Sequence, residues 1–342
     1  MGLTPLAGLM CYCSGGMAGG NEESGLVLTP RAVLVAVLLL AVTGVVAYLA
    51  AQGSGDTAEE EGSNPHALRA PWIDPDGIAP IVGSLDVNPA DGSLWLATNT
   101  GLWRLSSGAD RPERVTGTLR TDSGSGKISE QLVVRFRGPD HAIASGHPPP
   151  DSALPSALGL IESRDAGRTW SPISELGRSD FHAIQVRGDV IVAGFFGQAA
   201  ANVSRDGGRT FQSRVTPAPL VDLAVDPDDP ARWVASTANG LIASTDEGRS
   251  WRELEPVPNI RFAWAAGGSL YRIDPGGPVK LSRDRGRTWD ERGTTGGEPQ
   301  ALLAATPAHL YAVLIDGTVK ESRDGGATWD DRVTPPPERQ SQ

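Results

Sequence analysis

The stretch Ser204-Arg-Asp-Gly-Gly-Arg-Thr-Phe211 decides the fold, because the chain repeats its pattern. Each copy has a serine, an aspartate two residues later, a glycine two residues after that, then serine or threonine and an aromatic residue. The successive aspartates at 165, 206, 246, 284 and 324 lie 41, 40, 38 and 40 residues apart. The residues that define the five copies are Ser163, Asp165, Gly167, Thr169, Trp170, Ser204, Asp206, Gly208, Thr210, Phe211, Ser244, Asp246, Gly248, Ser250, Trp251, Ser282, Asp284, Gly286, Thr288, Trp289, Ser322, Asp324, Gly326, Thr328 and Trp329.

The chemistry of this repeat is that of a turn. The aspartate side chain can accept hydrogen bonds from backbone N–H groups of its own loop, and the glycine supplies a backbone conformation with positive φ. The aromatic residue then starts the next strand and buries a large ring. Binding of Ca²⁺ is the alternative, but each copy offers one carboxylate, whereas calcium takes about 6–8 oxygens. We therefore expect a structural role for the five copies, with no metal and no cofactor.

The length of the repeat indicates the architecture, since about 40 residues make one four-stranded propeller blade. A sixth unit lies upstream, with strand-like runs at Ser84–Val87, Leu94–Ala97 and Gly101–Arg104, and its motif is reduced to Ser106–Asp110. The step from Gly101 to the equivalent Gly159 is 58 residues. We assign the excess to two loop-like segments, Thr121–Lys127 and His147–Ser156. The sequence thus predicts an all-β fold, a β-propeller of six four-stranded blades over 76–335, preceded by one transmembrane helix.

The pattern S-x-D-x-G-x-[ST]-[WF] closely resembles the Asp-box, or BNR repeat. That repeat occurs in sialidases, sortilin-type receptors, photosystem II assembly factors of the Ycf48/Hcf136 kind and xyloglucan hydrolases. From Gly138 onward the chain is also similar to bacterial membrane-linked Asp-box proteins labelled glycosylhydrolase, through the runs Gly138–His141, Ser145–Pro148, Leu158–Ser163 and Asp180–Ala183. The resemblance implies a propeller. It leaves the function open, because these proteins include enzymes, receptors and scaffolds.

An apolar run at 32–51 carries no charged residue. Twenty helical residues span roughly 30 Å, the thickness of a bilayer core. The run lacks an A-x-A-like end and is longer than a typical signal-peptide core, so an uncleaved anchor is favoured over a cleaved signal. Arg31 precedes the run, whereas Glu59, Glu60 and Glu61 follow it, and this asymmetry favours a cytoplasmic N-terminus. We predict a cytoplasmic tail at 1–31, a transmembrane helix at 32–51, a flexible linker at 52–75, and a disordered tail at 336–342.

The net charge and the positions of the cysteines bear on the partners of the protein and on how it is stabilised. The formal net charge is −11, which argues against a nucleic-acid partner. Both cysteines, Cys11 and Cys13, precede the apolar run, so the predicted propeller has no disulfide and depends on core burial for its stability. The expected location of the propeller is outside the cytoplasm, at the cell membrane.

A sialidase-type active site is not evident in the sequence. The sialidase resemblance implies three arginines that clamp the substrate carboxylate, a Tyr–Glu nucleophile pair and an Asp acid/base. Arg137, Arg261 and Arg272 are the arginines in runs placed near a channel-facing strand, and their spacing does not resemble that triad. Tyr271 and Tyr311 fall in second-strand runs, where packing explains them. We assign no catalytic residue, although a glycoside hydrolase with two carboxylates stays open as an alternative.

One polar cluster suggests a ligand site. His141, His147 and His182 occur with Asp151 in neighbouring units of the repeat. They are either a ligand or metal site on one propeller face or ordinary histidines of loops and strand starts. Two functions therefore compete. The first is a binding or scaffold propeller at the cell surface with an unknown glycan or protein ligand. The second is a sialidase-like glycoside hydrolase that acts on glycans.

Overall fold

The structure of the chain is a computed structural model that describes residues 68–72, 79–109, 111–128, 132–195 and 197–335. Every regular element in these ranges is a β-strand, which confirms the predicted all-β class. Within the same ranges, no helix is long and apolar enough to cross a membrane. The predicted cytoplasmic tail, the predicted membrane helix at 32–51, most of the predicted linker and the tail at 336–342 lie outside the described residues.

The first half of the ring begins with a short strand, β1 (Leu68–Arg69). Blade 1 consists of β2 (Val82–Val87), β3 (Leu94–Thr98), β4 (Gly101–Leu105) and β5 (Glu113–Val115). Blade 2 consists of β6 (Gly117–Thr121), β7 (Gly124–Ile128), β8 (Leu132–Gly138), β9 (His141–Gly146), β10 (Leu160–Ser163) and β11 (Thr169–Ser174). Blade 3 consists of β12 (Ala183–Arg187), β13 (Val190–Gly194), β14 (Ala200–Ser204) and β15 (Gln212–Val215).

The second half of the ring repeats the four-stranded plan. Blade 4 consists of β16 (Leu220–Val225), β17 (Trp233–Thr237), β18 (Gly240–Ser244) and β19 (Arg252–Glu255). Blade 5 consists of β20 (Arg261–Trp264), β21 (Leu270–Ile273), β22 (Pro278–Ser282) and β23 (Asp290–Thr294). Blade 6 consists of β24 (Pro299–Ala304), β25 (Leu310–Leu314), β26 (Val319–Ser322) and β27 (Asp330–Thr334).

The six blades form a closed ring, as predicted. The innermost strands β2, β8, β12, β16, β20 and β24 each contact the next, and β24 contacts β2. The second strand of a blade is covered on both faces by its neighbours, so runs such as Trp233-Val-Ala-Ser-Thr237 are buried throughout. Outer strands such as β19 and β23 are mostly exposed and carry charged residues. The hydrophobic core therefore lies between blades, in several clusters distributed around the ring.

The ring is closed by the start of the described chain. Strand β1 pairs in parallel with β27, matching Leu68 to Val333 and Arg69 to Thr334. Trp72 is 3% exposed and packs in the core shared by blades 6 and 1, and its indole N–H donates to the Gly317 carbonyl at 3.2 Å. The predicted flexible linker at 52–75 is therefore wrong for 68–72. Two strand residues are too few to produce a recognisable alternation in the sequence.

The long step between blades 1 and 2 contains a hairpin. The predicted loop at Thr121–Lys127 is wrong, because β6 and β7 pair there and β6 lies parallel to β11 at the edge of blade 2. Leu119 and Ile128 of this hairpin are almost fully buried in the core between blades 1 and 2. The other segment, His147–Ser156, contains no strand. Blade 2 thus has six strands instead of the predicted four.

Strand direction gives the ring two distinct faces. The five repeat turns join the third strand of a blade to the fourth and share one face with the turns that join the first strand to the second. We call this the Asp-box face. The connections between second and third strands, and those between successive blades, lie on the opposite face. His147 lies in the connection between β9 and β10, and His182 lies in the connection between β11 and β12, so both are on the opposite face.

Candidate functional site

The repeat turns use their carboxylates internally. In the third copy, Asp246 Oδ1 accepts from Ser250 N at 2.9 Å and from Ser244 Oγ at 2.8 Å, and Oδ2 accepts from Ser250 Oγ at 2.6 Å. Gly248 N donates to Ser244 Oγ at 2.8 Å. The same four bonds recur in the other four copies. These aspartates bond to their own loop, which leaves little capacity for an external ligand.

Hydrogen bonds in these turns also shift the acidity of the aspartates. Bonds from the Ser or Thr four residues later lower the pKa of Asp246, Asp284 and Asp324 to about 2. The pKa of Asp206 is lowered by the same arrangement, and that of Asp165 is lowered despite partial burial. A carboxylate that accepts several hydrogen bonds is stabilised in its charged form. All five are therefore ionised near neutral pH.

The innermost strands bring charged side chains to the axis of the ring. Asp86 Oδ2 accepts from Phe136 N at 2.7 Å, and Arg135 Nη1 donates back to the Leu85 carbonyl at 2.8 Å. The same arrangement recurs three blades away, where Asp222 Oδ2 accepts from Phe262 N at 2.8 Å. There Arg261 Nη1 donates to the Val221 carbonyl at 3.3 Å. These contacts join blade 1 to blade 2 and blade 4 to blade 5.

These charged groups shift one another's pKa values across the central channel, which runs along the axis of the ring. Burial raises the pKa of Asp86 and of Asp222, and a neighbouring arginine opposes each shift. Burial, followed by the nearby positive charge of Arg135, lowers the pKa of Arg187 to about 10. Arg187 donates to the Val225 carbonyl of the next inner strand at 2.9 Å. Arg135, Arg187 and Arg261 thus lie on inner strands, and each donates to a backbone carbonyl of a neighbouring blade.

The sequence placed the channel arginines only in part. Of the three it named, Arg137 and Arg261 lie on inner strands, but Arg137 lies near the Asp-box end of β8 and pairs with Asp189 at 2.9 Å. Arg272 is 3% exposed on a second strand, beside Glu255 and Asp274. Arg135 and Arg187 were missed, although each alternates with apolar residues in its strand, a pattern that signals an inward-facing charge.

The two propeller tyrosines lie inside blades. Tyr271 is 2% exposed and its hydroxyl donates to the Pro307 carbonyl at 2.6 Å. Tyr311 is 7% exposed and pairs across strands with Glu321. Burial, together with the Glu321 carboxylate, raises the pKa of Tyr311, which opposes the ionisation that a nucleophile needs. The structure therefore brings neither Tyr271 nor Tyr311 to the channel arginines.

An open cleft of about 780 Å³ separates blades 2 and 3 on the Asp-box face. His141 lies in this cleft, with its Nε2 at 3.0 Å from Glu162 Oε2. Arg164 Nη2 lies 2.9 Å from the same oxygen. Arg137 and Arg209 line the other side, close to Gly207. The cleft thus collects three arginines and two carboxylates, and the sequence had named only His141 and Arg137 among its residues.

A second polar cluster lies on the opposite face. Nε2 of His147 and Nε2 of His182 each lie 2.5 Å from Asp180 Oδ2. The sequence grouped four residues, but the structure brings together only His147 and His182 of them. His141 lies in the cleft, and Asp151 is exposed in the 147–156 segment, outside the cluster. Asp180 was missed as a site residue, although its spacing of two from His182 fits side chains on one side of an extended segment.

Backbone contacts position both halves of this cluster. Phe181, between Asp180 and His182, is 1% exposed, and its N–H donates to Ser145 Oγ at 2.9 Å. His182 N donates to the Gly194 carbonyl at 2.9 Å. Gly159 N donates to the Ser179 carbonyl at 2.9 Å and has φ +63°, and a Cβ there would lie 2.3 Å from the Ser174 carbonyl oxygen. Glycine at 159 lets the loop that carries His147 approach the segment that carries Asp180.

Neighbouring groups in this cluster shift the pKa of His147 and of Asp180. The Asp180 carboxylate raises the pKa of His147 against the effect of burial. Burial alone would raise the pKa of Asp180, but the hydrogen bonds from His147 and His182 lower it to about 2. The other oxygen, Asp180 Oδ1, is buried and has no hydrogen-bond partner among the described residues. This combination of two imidazoles, one carboxylate and an unused acceptor oxygen can hold a cation.

Comparison with known proteins shows the fold. No protein-family model matches the chain, and no curated protein matches it. Among solved structures, it is similar to YCF48 from Cyanidioschyzon merolae, with a TM-score of 0.46 and 16% identity over 74% of this chain and 85% of that chain. It is similar to the GH74 xyloglucanase from Xanthomonas campestris, with a TM-score of 0.43 and 17% identity over 76% of this chain and 46% of that chain.

A third similarity is to a chain of a nidogen/laminin complex, with a TM-score of 0.52 and 14% identity over 71% of this chain and 93% of that chain. The chain spans about half the length of the xyloglucanase. Ycf48 and xyloglucan hydrolases are two of the groups that the sequence resembles. At such identities the likeness extends to the fold alone. The six sheets, whose innermost strands contact one another in a closed ring, make the chain a six-bladed β-propeller.

Proposed function

We propose that this chain is a membrane-anchored propeller, located outside the cytoplasm, that binds an acidic segment of a partner protein in the cleft between blades 2 and 3. One observation carries the proposal. A chain with a formal net charge of −11 gathers three arginines, Arg137, Arg164 and Arg209, around one open cleft. Local positive charge on an acidic protein attracts an anionic partner and favours its approach.

The three cleft arginines differ in side-chain exposure, which suits recognition of a peptide. The side chain of Arg137 is 17% exposed and bonds to both Asp189 and the Gly188 carbonyl, so its guanidinium is held in place. The side chain of Arg164 is 70% exposed, and Arg209 is also exposed. A planar guanidinium can bind a carboxylate through two parallel hydrogen bonds. One fixed and two exposed arginines that line the same cleft can therefore engage several carboxylates of one peptide.

Binding is favoured over sialidase-like hydrolysis by the placement of the polar groups. The channel arginines bond to neighbouring blades, and both tyrosines are inside blades. The anchor is inferred from the apolar run at 32–51, and the outside location from the charges that flank it.

The proposal is tested with a fluorescent ten-residue oligoglutamate peptide and the purified full-length protein. Replacing both exposed cleft arginines (Arg164→Gln with Arg209→Gln) should weaken peptide binding on the order of tenfold, because two exposed charge contacts of about 0.7 kcal/mol each are lost. Fluorescence anisotropy measures the dissociation constant. Binding should also weaken as salt is raised.

The repeat offers a matched control. Arg283 and Arg287 occupy the same two positions in the Asp-box of blade 5, and the side chain of Arg283 is 67% exposed. The pair Arg283→Gln with Arg287→Gln changes the net charge equally but lies away from the cleft, so its binding should equal that of the unchanged protein. Equal weakening by both pairs would indicate attraction to overall charge and would overturn the proposal.

A further inference from the structure

We propose that His147, Asp180 and His182 form a binding site for a divalent transition-metal ion, with Zn²⁺ as the best fit, on the face opposite the Asp-boxes. The site is separate from the cleft of the proposed function. Three ligand atoms, one from each side chain, lie within 4.8 Å of one another. Ligands of a tetrahedral Zn²⁺ ion, bound at about 2.0–2.2 Å, are roughly 3.3 Å apart. Small movements of these side chains would accommodate the ion.

The orientation of His147 identifies its ligand atom. Its Nδ1 lies 2.5 Å from the carbonyl oxygen of Ser156. A carbonyl oxygen only accepts, so Nδ1 carries the proton, and in the neutral ring the lone pair is on Nε2. This is the arrangement in which metal-binding histidines are held, with one ring N–H bonded to a backbone carbonyl and the other nitrogen directed at the ion.

The contact between His147 and Asp180 then requires a cation. The lone pair of Nε2 and the carboxylate oxygen Oδ2 are both acceptors, and they lie 2.5 Å apart. Such a pair is stable when a proton or a metal ion lies between the two atoms. Asp180 Oδ1, which is buried without a hydrogen-bond partner among the described residues, provides a further oxygen for an ion.

Two other histidine–carboxylate pairs provide a contrast. Glu162 bonds to His141 and to Arg164, and Glu321 bonds to His309 and to Arg323. In both pairs a permanently charged guanidinium accompanies the single imidazole. Asp180 instead has a second imidazole on the same oxygen. Two imidazoles converging on one carboxylate oxygen form a ligand set for a metal, whereas one imidazole with an arginine forms an ordinary ion pair.

The chemistry of the donors indicates the type of metal. Two imidazole nitrogens and one carboxylate oxygen suit Zn²⁺ and similar transition metals better than Ca²⁺ or Mg²⁺, which prefer oxygen ligands. The side chains of His147 and His182 are 33% and 38% exposed, so the site can be reached from solvent. Three protein ligands leave a fourth position for water or an external ligand.

The test is Zn²⁺ binding by the purified full-length protein after chelation and dialysis, measured by isothermal titration calorimetry. We expect one Zn²⁺ ion per chain, with binding weakened on the order of 100-fold by His182→Gln and by Asp180→Asn. Melting curves of each variant without metal establish that it is folded. Because Asp180→Asn retains the size of the side chain, it remains informative if His182→Gln fails to fold.

The matched control is His309→Gln, which removes a histidine from the pair with Glu321 and should leave Zn²⁺ binding unchanged. The proposal fails if the unchanged protein does not bind Zn²⁺. Protonated His147 and His182 would then simply form ion pairs with Asp180. It also fails if His309→Gln weakens binding as much as His182→Gln does. Neither outcome bears on the arginine cleft, whose peptide binding is measured without metal.

Discussion

The aromatic residue that ends each Asp-box differs in burial from blade to blade. Trp170 is 2% exposed, lies in the core of blade 2, and donates its indole N–H to the Gly167 carbonyl at 2.9 Å. Trp251, at the same position of the third copy, is half-buried and donates to the Val215 carbonyl at 3.0 Å. The hairpin β6–β7 covers Trp170 at the edge of its blade, whereas blade 4 has no such hairpin.

Replacement of these two tryptophans should therefore have unequal effects. Trp170→Ala should lower the free energy of unfolding by about 3–5 kcal/mol, because it leaves a cavity in a packed core. Trp251→Ala should cost less, because solvent already reaches the ring. Urea unfolding followed by circular dichroism measures both, and equal costs would contradict the assignment of burial.

Single residues also show what a sequence reveals about a site. The spacing of the Asp-boxes is periodic, so the turns and the blades can be predicted from it. The cluster of His147, Asp180 and His182 is not periodic, because a loop and a connection between blades bring it together. The sequence named the two histidines but placed His141 and Asp151 with them, since distance along the chain was its only guide.

At the level of elements, the sequence failed to predict the strands that do not belong to the repeat, which are β1, β6 and β7. The hairpin β6–β7 lacks the Asp-box, and its Gly-Ser-Gly segment at 124–126 reads as a loop. Strand β1 has two residues. Both elements are fixed by pairing with a distant strand, which a local pattern does not reveal. The four-stranded core of each blade, by contrast, was predictable because its apolar runs recur.

Closure of the ring gives a prediction for Trp72. Trp72→Ala should lower the free energy of unfolding by about 3–5 kcal/mol, because its buried ring joins blade 6 to blade 1. Hydrogen exchange should increase mainly in the strands of blades 1 and 6, which share this core. Trp289→Ala, which removes a half-buried ring in blade 5, is the control and should leave exchange in β27 unchanged. A uniform increase around the ring would argue against a local closure.

At the scale of the whole molecule, two sets of aspartates respond to acid in opposite ways. The five Asp-box carboxylates have lowered pKa values. They stabilise the fold above their ordinary value of about 3.9, and this contribution is lost as pH falls toward 2. Asp86 and Asp222 have raised pKa values. Their ionisation opposes folding, so acidification through their folded pKa values restores stability.

We expect the five Asp-box carboxylates to decide how the stability of the protein changes in acid, because they outnumber Asp86 and Asp222. The melting temperature should change little from pH 7 to pH 5 and should fall between about pH 4 and pH 2. Asp246→Asn should make this fall shallower, because one of the lowered groups is gone. Asp222→Asn, which removes a group shifted in the other direction, should not. A melting temperature that rises steadily down to pH 2 would contradict the prediction.

The pairing of β1 with β27 has a consequence for biosynthesis. Leu68 and Val333 are 265 positions apart in the chain (333 minus 68), and a contact this distant has a high cost in loop-closure entropy. Chains emerge from the ribosome N-terminus first, so the earlier blades can assemble while β1 has no partner. The ring closes only after translation has produced its final strand. A nascent chain stalled before Asp330 would expose the edge of β26, and unpaired edges promote aggregation.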